Sequence, residues 1–221
     1  MSTPAAHVIF DLDGVLLDTE PLYTEATQRV CDPFGKTYDW ELKSQVMGRG
    51  ARVSAQLTID TLGLPLTVDQ YLDQRAVHLE ALFPSAAELD GVPQLVAELA
   101  RRGVPMAVAT SSERRLCDLK LGGRPWLRHI SCVLCADDHD VARPKPAPDI
   151  FLAAAAKLGA SPATCLVFED SLAGVEAALA AGMRVVAIPD PRLRAAAIFD
   201  EATLVIERYA DLDLDQLGLV G

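Results

Sequence analysis

Short apolar runs rich in valine and isoleucine punctuate the chain at Val8–Phe10, Met106–Ala109, Ile130–Cys135, Cys165–Phe168, Val185–Ile188 and Leu204–Ile206. The runs are near-continuous rather than alternating, which predicts strands buried on both faces, and therefore parallel strands covered by helices. The segments between the later runs show helical periodicity ended by glycine. Val92–Arg102 closes at Gly103, Asp149–Leu158 at Gly159 and Ser171–Ala181 at Gly182, where helices commonly stop. Strand alternating with helix predicts an α/β fold with a doubly wound, Rossmann-like parallel sheet.

The first interval breaks this rhythm. Phe10 and Met106 are separated by 95 residues, far more than one crossover helix needs. Within that interval Tyr38–Met47, Ala51–Leu62 and Thr67–Phe83 read as amphipathic helices, with Gly48, Gly50, Gly63 and Pro65 as punctuation. The expected organisation is a core domain of residues 1–19 and 89–221, with an all-α cap domain, residues 20–88, inserted after the first strand. Ligands of open α/β sheets bind beyond the carboxyl ends of the strands, so an insertion leaving from that end would sit over the site.

Composition narrows the partners. Among 221 residues, 31 acidic side chains outnumber 20 basic ones, for a net charge of −11. That field repels polyanions, so neither nucleic acid nor an anionic membrane surface is an expected partner. The longest stretch free of Asp, Glu, Lys and Arg, Leu158–Phe168, is 11 residues, against the ~20 a spanning helix needs. The amino-terminal residues carry no basic region leading into an apolar run, and the five cysteines are odd in number and widely spaced. Both features lead to the expectation of a cytoplasmic protein with reduced thiols. Cys132 and Cys135 form a CxxC inside an apolar run and read as core packing. No long apolar helix face is left unassigned, so a monomer is expected.

Chemistry concentrates just after the strands. Asp11-Leu-Asp13-Gly14 follows the first, Thr110-Ser111-Ser112 the second, Asp137-Asp138 and then Lys145 the third, and Glu169-Asp170-Ser171 the fourth. Asp11 and Asp13 lie two apart, so in an extended chain both face one way, and two adjacent carboxylates call for a hard cation such as Mg²⁺. A lone DxDG is commonly a turn. Asp211-Leu-Asp213 repeats the spacing with no strand before it and no glycine after it, and reads as a solvated turn. Thr110, Ser111 and Ser112 most commonly serve as a helix cap, although a hydroxyl with backbone N–H groups at a helix start also makes a phosphate cradle. Lys145, between two prolines, is by itself an ordinary surface lysine, and Glu169-Asp170 suits the start of a helix. Their ordered convergence on one sheet edge is what singles them out.

Those same segments, VIFDLDGVLLDTE, TSS, KPAPDIF and VFEDSLAGVEAALAAGM, resemble the four motifs of the haloacid dehalogenase-like superfamily, in order, with the insertion resembling its helical cap. YDWELKSQVMGRGA and TSSERRLCDLKLGG most resemble its pseudouridine-5′-phosphatase and glycerol-3-phosphatase branch, although the segment Leu121–His129 is shorter than in those relatives. The resemblance implies a Mg²⁺-dependent phosphatase of small phosphorylated metabolites. In it Asp11 would be the nucleophile and Asp13 the general acid and base. Mg²⁺ would be held by Asp11, the Asp13 carbonyl, Asp170 and Glu169, the last directly or through water. Thr110 and Lys145 would hold the phosphoryl oxygens, with Ser111 and Ser112 beside them.

Two other readings compete. A β-phosphoglucomutase-type mutase shares the two-aspartate motif, but carries a histidine where this chain has Tyr23. A phospho-accepting signalling receiver places its accepting aspartate after a later strand and has no large insertion. In the cap, Gly48 and Arg49 resemble the family's specificity loop, and Arg49 is either a substrate contact or a surface arginine beside a turn. Glu20 and Tyr23 lie near the hinge as further pocket candidates. Seven acids (Asp11, Asp13, Asp18, Asp137, Asp138, Glu169 and Asp170) are expected at or near this edge, which would leave the rest of the chain only mildly acidic, at −4.

Overall fold

The structure is a computed structural model that describes residues 6–46 and 50–219. Two compact units emerge: Thr19–Ala86, and the remainder up to Asp18 and from Ala87 onward.

The larger unit contains β1 (His7–Phe10), β2 (Leu17–Asp18), β3 (Ala87–Glu88), β4 (Met106–Ala109), β5 (Ile130–Leu134), β6 (Cys165–Glu169), β7 (Arg184–Ala187) and β8 (Leu204–Val205). Six of these form a parallel sheet in the order β5-β4-β1-β6-β7-β8, and β2 pairs with β3 separately and antiparallel. All six apolar runs of the sequence thus enter one sheet, with strand bounds shifted by a residue or two at most. The order steps outward in both directions from β1, as a doubly wound sheet requires. Phe10 aligns with Val108 on one side and Phe168 on the other. Val8, Ile9 and Phe10, every residue of β4, and all of β6 are buried, which explains why they lack polar alternation.

The helices of the smaller unit come first in the chain: α1 (Glu20–Cys31), α2 (Trp40–Val46), α3 (Ala51–Leu62) and α4 (Val68–Leu82). The last three answer the periodicity of the sequence. The pattern did not disclose α1, because its buried face, Ala26, Thr27, Val30 and Cys31, is small and partly polar. Val30, Cys31, Ala55, Ile59, Leu64 and Tyr71 form the core of this unit. Thr67 opens α4 with a capping box, accepting from the Gln70 N–H while its own N–H donates to the Gln70 side chain, which satisfies two otherwise orphaned donors.

Four helices flank the sheet: α5 (Val92–Arg101), α6 (Arg114–Leu121), α7 (Asp149–Leu158) and α8 (Leu172–Ala180). Helix α5 buries Val92, Leu95, Val96 and Leu99, the spacing of a single helical face. Helix α8 starts on Ser171, whose hydroxyl accepts from the Gly174 N–H at 3.0 Å. The segment before β5, flagged as short in the sequence, is a turn of 3₁₀ helix, Pro125–His129, whose buried Trp126 donates its indole N–H to Glu88 Oε1 at 2.7 Å. No described helix is long and apolar enough to cross a membrane.

Leu99 has no exposed surface, whereas Leu152 on α7 is 40% exposed. Leu99→Ala is expected to lower stability by about 2–5 kcal/mol, through lost burial and the cavity left behind. Leu152→Ala is expected to change it by less than about 0.5 kcal/mol. Urea unfolding midpoints of the two variants check this contrast.

Candidate active site

The end of β1 lies between β4 and β6, so the residues just past these three strands meet there. The ladder continues past β1, because the Asp11 N–H donates to the Phe168 carbonyl at 2.9 Å. Beyond it the chain turns tightly, with the Gly14 N–H donating to the Leu17 carbonyl at 2.8 Å. Gly14 has φ +76°, and a Cβ there would lie 2.1 Å from Asp170 Oδ2. Glycine is therefore required twice over, by the backbone conformation and by the carboxylate packed against it.

Two lysines organise the acids. Lys145 Nζ donates to Asp11 Oδ1 at 2.5 Å, to Glu169 Oε1 at 2.7 Å and to the Ala109 carbonyl at 3.2 Å. Its side chain is 5% exposed and stands 4.7 Å from the centre of the Phe151 ring. Glu169 is wholly buried; its other oxygen accepts from the Ser171 N–H and hydroxyl at 2.8 and 3.0 Å. Gly174 makes room for that carboxylate, since a Cβ would fall 1.6 Å from Glu169 Oε1. The second lysine is Lys120 on α6. It is fully buried, and its Nζ donates to Asp13 Oδ1 at 2.6 Å, to Asp13 Oδ2 at 2.8 Å and to Ser112 Oγ at 2.7 Å. Ser112 in turn donates to Asp13 Oδ2 at 3.0 Å.

Burial and charge crowding set the protonation tendencies. Burial raises the Asp11 carboxyl to about 7, reinforced by Glu169 and Asp13 and opposed by Lys145. Asp170 is pushed well above the usual carboxylate range, first by burial and then by Glu169 and Asp11. Burial works against the Lys145 charge, but Asp11 and Glu169 outweigh it and hold the ammonium above the ordinary lysine range.

Of the residues expected from sequence, Asp11, Asp13, Ser112, Lys145, Glu169 and Asp170 are thus joined by contacts or charge at the sheet edge. Thr110 is buried beside them at the end of β4, its hydroxyl accepting from the Ser112 N–H at 3.1 Å. Ser111 is exposed. Asp137 and Asp138, expected at this edge, turn instead to α6: Asp137 accepts from the Arg114 N–H at 2.8 Å, and Asp138 pairs with the Arg114 guanidinium at 2.7 Å. Asp18 is exposed on β2. Four acids and two lysines make up the cluster, for a net −2 when all are ionised. Counted on acids alone, as for the expected −4, four clustered acids leave −7 on the rest of the chain; with the two lysines also assigned to the cluster, the remainder keeps −9 of the total −11.

Within the helical unit, Glu20 pairs with Lys43 at 2.8 Å, and Tyr23 packs edge-on against Phe83 at 5.3 Å between ring centres. Gly48 and Arg49 lie outside the described residues. Cys135 is buried, as is Cys117 of α6, and Cys132 packs against the core of the sheet, in line with the packing role expected of the CxxC.

Sequence reasoning missed Lys120. A signal was present: Cys117, Lys120 and Leu121 are the buried positions of α6, so the lysine falls three residues after one apolar position and just before another, on the inward face. An inward lysine needs a carboxylate.

These contacts follow the order of motifs in a known family, and the match is direct. Residues 8–188 match the family described as haloacid dehalogenase-like hydrolase. The chain belongs to that family. A Drosophila melanogaster protein named "probable pseudouridine-5′-phosphatase" is 42% identical to this haloacid dehalogenase-like hydrolase over 219 residues, covering 96% of this chain and 94% of its own. The Arabidopsis thaliana (DL)-glycerol-3-phosphatase 2 is 38% identical, covering 99% and 97%. A family hydrolase from Deinococcus radiodurans, solved with bound phosphate and sodium, superposes with a TM-score of 0.80 at 28% identity, covering 98% of each chain. Family membership removes the signalling-receiver reading.

The cluster's oxygens fit a hard divalent cation. Among the described residues no three His, Cys, Asp or Glu side chains form a ready ligand set, but Mg²⁺ is commonly held by one or two carboxylates and keeps several waters. Asp11 and Asp170 are two carboxylates disfavoured as anions by burial and by neighbouring carboxylates, Glu169 foremost, and the missing Cβ of Gly14 leaves the Asp170 oxygen its place.

A folded-state carboxyl near 7, against 3.8 for the unexceptional group, binds its proton more tightly folded than unfolded. In EDTA, the contribution of Asp11 to stability is therefore expected to fall as pH rises from about 4 to about 7 and to level off above. Urea unfolding at a series of pH values should show this decline in the wild type and a shallower one in Asp11→Asn. Equal slopes would contradict it.

Proposed function

We propose that this hydrolase is a Mg²⁺-dependent phosphatase of small phosphorylated metabolites, working through an aspartyl-phosphate. The observation that carries the reading is the pair Asp11 and Asp13 on one strand end, each gripped by a different buried lysine. Such an arrangement gives two neighbouring carboxylates separate duties. Asp11, fixed on one oxygen by Lys145, acts as the nucleophile toward phosphorus. Asp13 gives a proton to the departing alcohol, then takes one from the water that opens the acyl phosphate.

Lys145, with Thr110, Ser111 and Ser112 alongside, neutralises and orients the phosphoryl oxygens, which is where most catalysis of this transfer originates. Asp11, Asp170 and the Asp13 carbonyl would hold Mg²⁺, which supplies charge neutralisation at the transferring group. Glu169 was expected as a further ligand; both of its oxygens already have protein partners, and we assign it instead the bracing of Lys145. The cap unit is assigned the choice of substrate, with Glu20, Tyr23, Gly48 and Arg49 as its candidate contacts. The names of the relatives support a nucleoside monophosphate or polyol phosphate, such as pseudouridine 5′-phosphate or glycerol 3-phosphate, with sugar phosphates next.

Phosphate release from such a panel is expected with Mg²⁺ and not with EDTA. Asp11→Asn should lower it by at least about a thousandfold. Unchanged release in that variant would refute the nucleophile, and conversion of a sugar phosphate to its isomer without free phosphate would establish a mutase instead.

Metal binding should also register in stability without turnover. At a hundredfold excess over its Kd, Mg²⁺ is expected to stabilise the folded protein by about 2.7 kcal/mol. Asp170→Asn should remove that gain while leaving the metal-free protein no less stable, because the asparagine relieves a repelled, buried carboxylate. Thermal unfolding with Mg²⁺ and with EDTA measures both effects.

A further inference from the structure

The proposed function assigns Lys120 no step of its own, and a catalytic duty for it rests on the phosphatase reading. Its side chain is fully buried, although lysines are rarely so unless paired. The ammonium reaches both oxygens of Asp13 and the hydroxyl of Ser112, and that hydroxyl donates to Asp13 Oδ2. The Asp13 carboxylate is thus gripped from α6 and from the end of β4. Rotating its plane would break charge-assisted hydrogen bonds on both oxygens, which are the stronger kind. Lys145 does not share this duty; its contacts are Asp11, Glu169 and Ala109.

We propose that Lys120 is a positioning residue for the acid–base step: together with Ser112 it fixes the plane of the Asp13 carboxylate relative to Asp11. The proton bound for the leaving alcohol then starts from a set place, and the proton taken from water returns to it. A lysine that only balanced charge would affect all substrates alike. A lysine that aims the general acid matters most where the leaving group needs a proton.

The test compares two substrates in the full-length enzyme with Mg²⁺: the alkyl phosphate that the wild type hydrolyses fastest, and 4-nitrophenyl phosphate, whose leaving group departs as a stable anion. In Lys120→Met, single-turnover cleavage of the alkyl phosphate is expected to fall about 10–100-fold. Its KM and the nitrophenolate burst are each expected to change less than about threefold. In an Asp13→Asn background, adding Lys120→Met should change the alkyl rate by less than about twofold, because the lysine acts through the residue already removed. That double variant removes both charges of the buried pair, so it decides the matter even where Lys120→Met alone does not fold.

Equal losses on the two substrates, a wild-type rate in Lys120→Met, or a further loss in the Asp13→Asn background would each overturn the positioning role. Those results leave the phosphatase reading intact. That reading fails separately, and takes this inference with it, if the wild type cleaves no member of the panel or Asp11→Asn cleaves as the wild type does.

Discussion

Four carboxylates, Asp11, Asp13, Glu169 and Asp170, are gathered around the end of one central strand, and two buried lysines are set against them. Charges removed from water lose hydration that their mutual attraction only partly restores, so a buried ion-pair cluster is weak support for a fold. Here the anions also outnumber the cations, and the raised carboxyls of Asp11 and Asp170 register the strain. The packing around it supplies what the cluster does not: Ile9, Phe10, the whole of β4 and the whole of β6 have essentially no exposed surface. A sheet of this rigidity can hold like charges side by side, as functional sites generally require of their surroundings.

Holding them also depends on space. Two glycines serve that end in different ways. Gly14 lets the chain turn away from β1 in a left-handed conformation while Asp170 closes over it, and Gly174, inside α8, lets Glu169 lie against a helix backbone. Ser171 links these features, since it caps α8 through Gly174 and donates twice to Glu169. The start of that helix and the orientation of Lys145 are therefore one hydrogen-bonded unit.

The sequence was most legible where one local property decides the outcome. Parallel strands buried on both faces must be apolar throughout, so all six could be read from valine and isoleucine runs. Asp11, Asp13 and Asp170 follow those strands directly and inherit their convergence, while Lys145 comes from the loop between β5 and α7. What escaped depends on partners distant in the chain. Asp137 and Asp138 look like further strand-end acids, yet they belong to Arg114, 23 and 24 residues earlier. Lys120 looks like a solvated helix lysine, yet its partner is 107 residues earlier. Helix α1 went unread for a local reason: threonine, alanine and cysteine make an inward face that carries little hydropathic contrast.

The acidity of the chain acquires a division of labour from this geometry. Only −2 of the −11 sits in the cluster when all of its groups are ionised, so the remaining −9 is spread over the rest of the molecule. At physiological ionic strength such exposed charges are screened beyond about 8 Å, which leaves them effective against extended polyanions lying along the surface. A single phosphate group at the end of β1 answers instead to what is within a few ångströms. There Lys145 is already charged and buried, and in the proposed reading a divalent cation offsets the surplus of carboxylates. A net charge that disfavours extended polyanions is therefore compatible with attraction of a phosphomonoester at one point, because the two selections act over different distances.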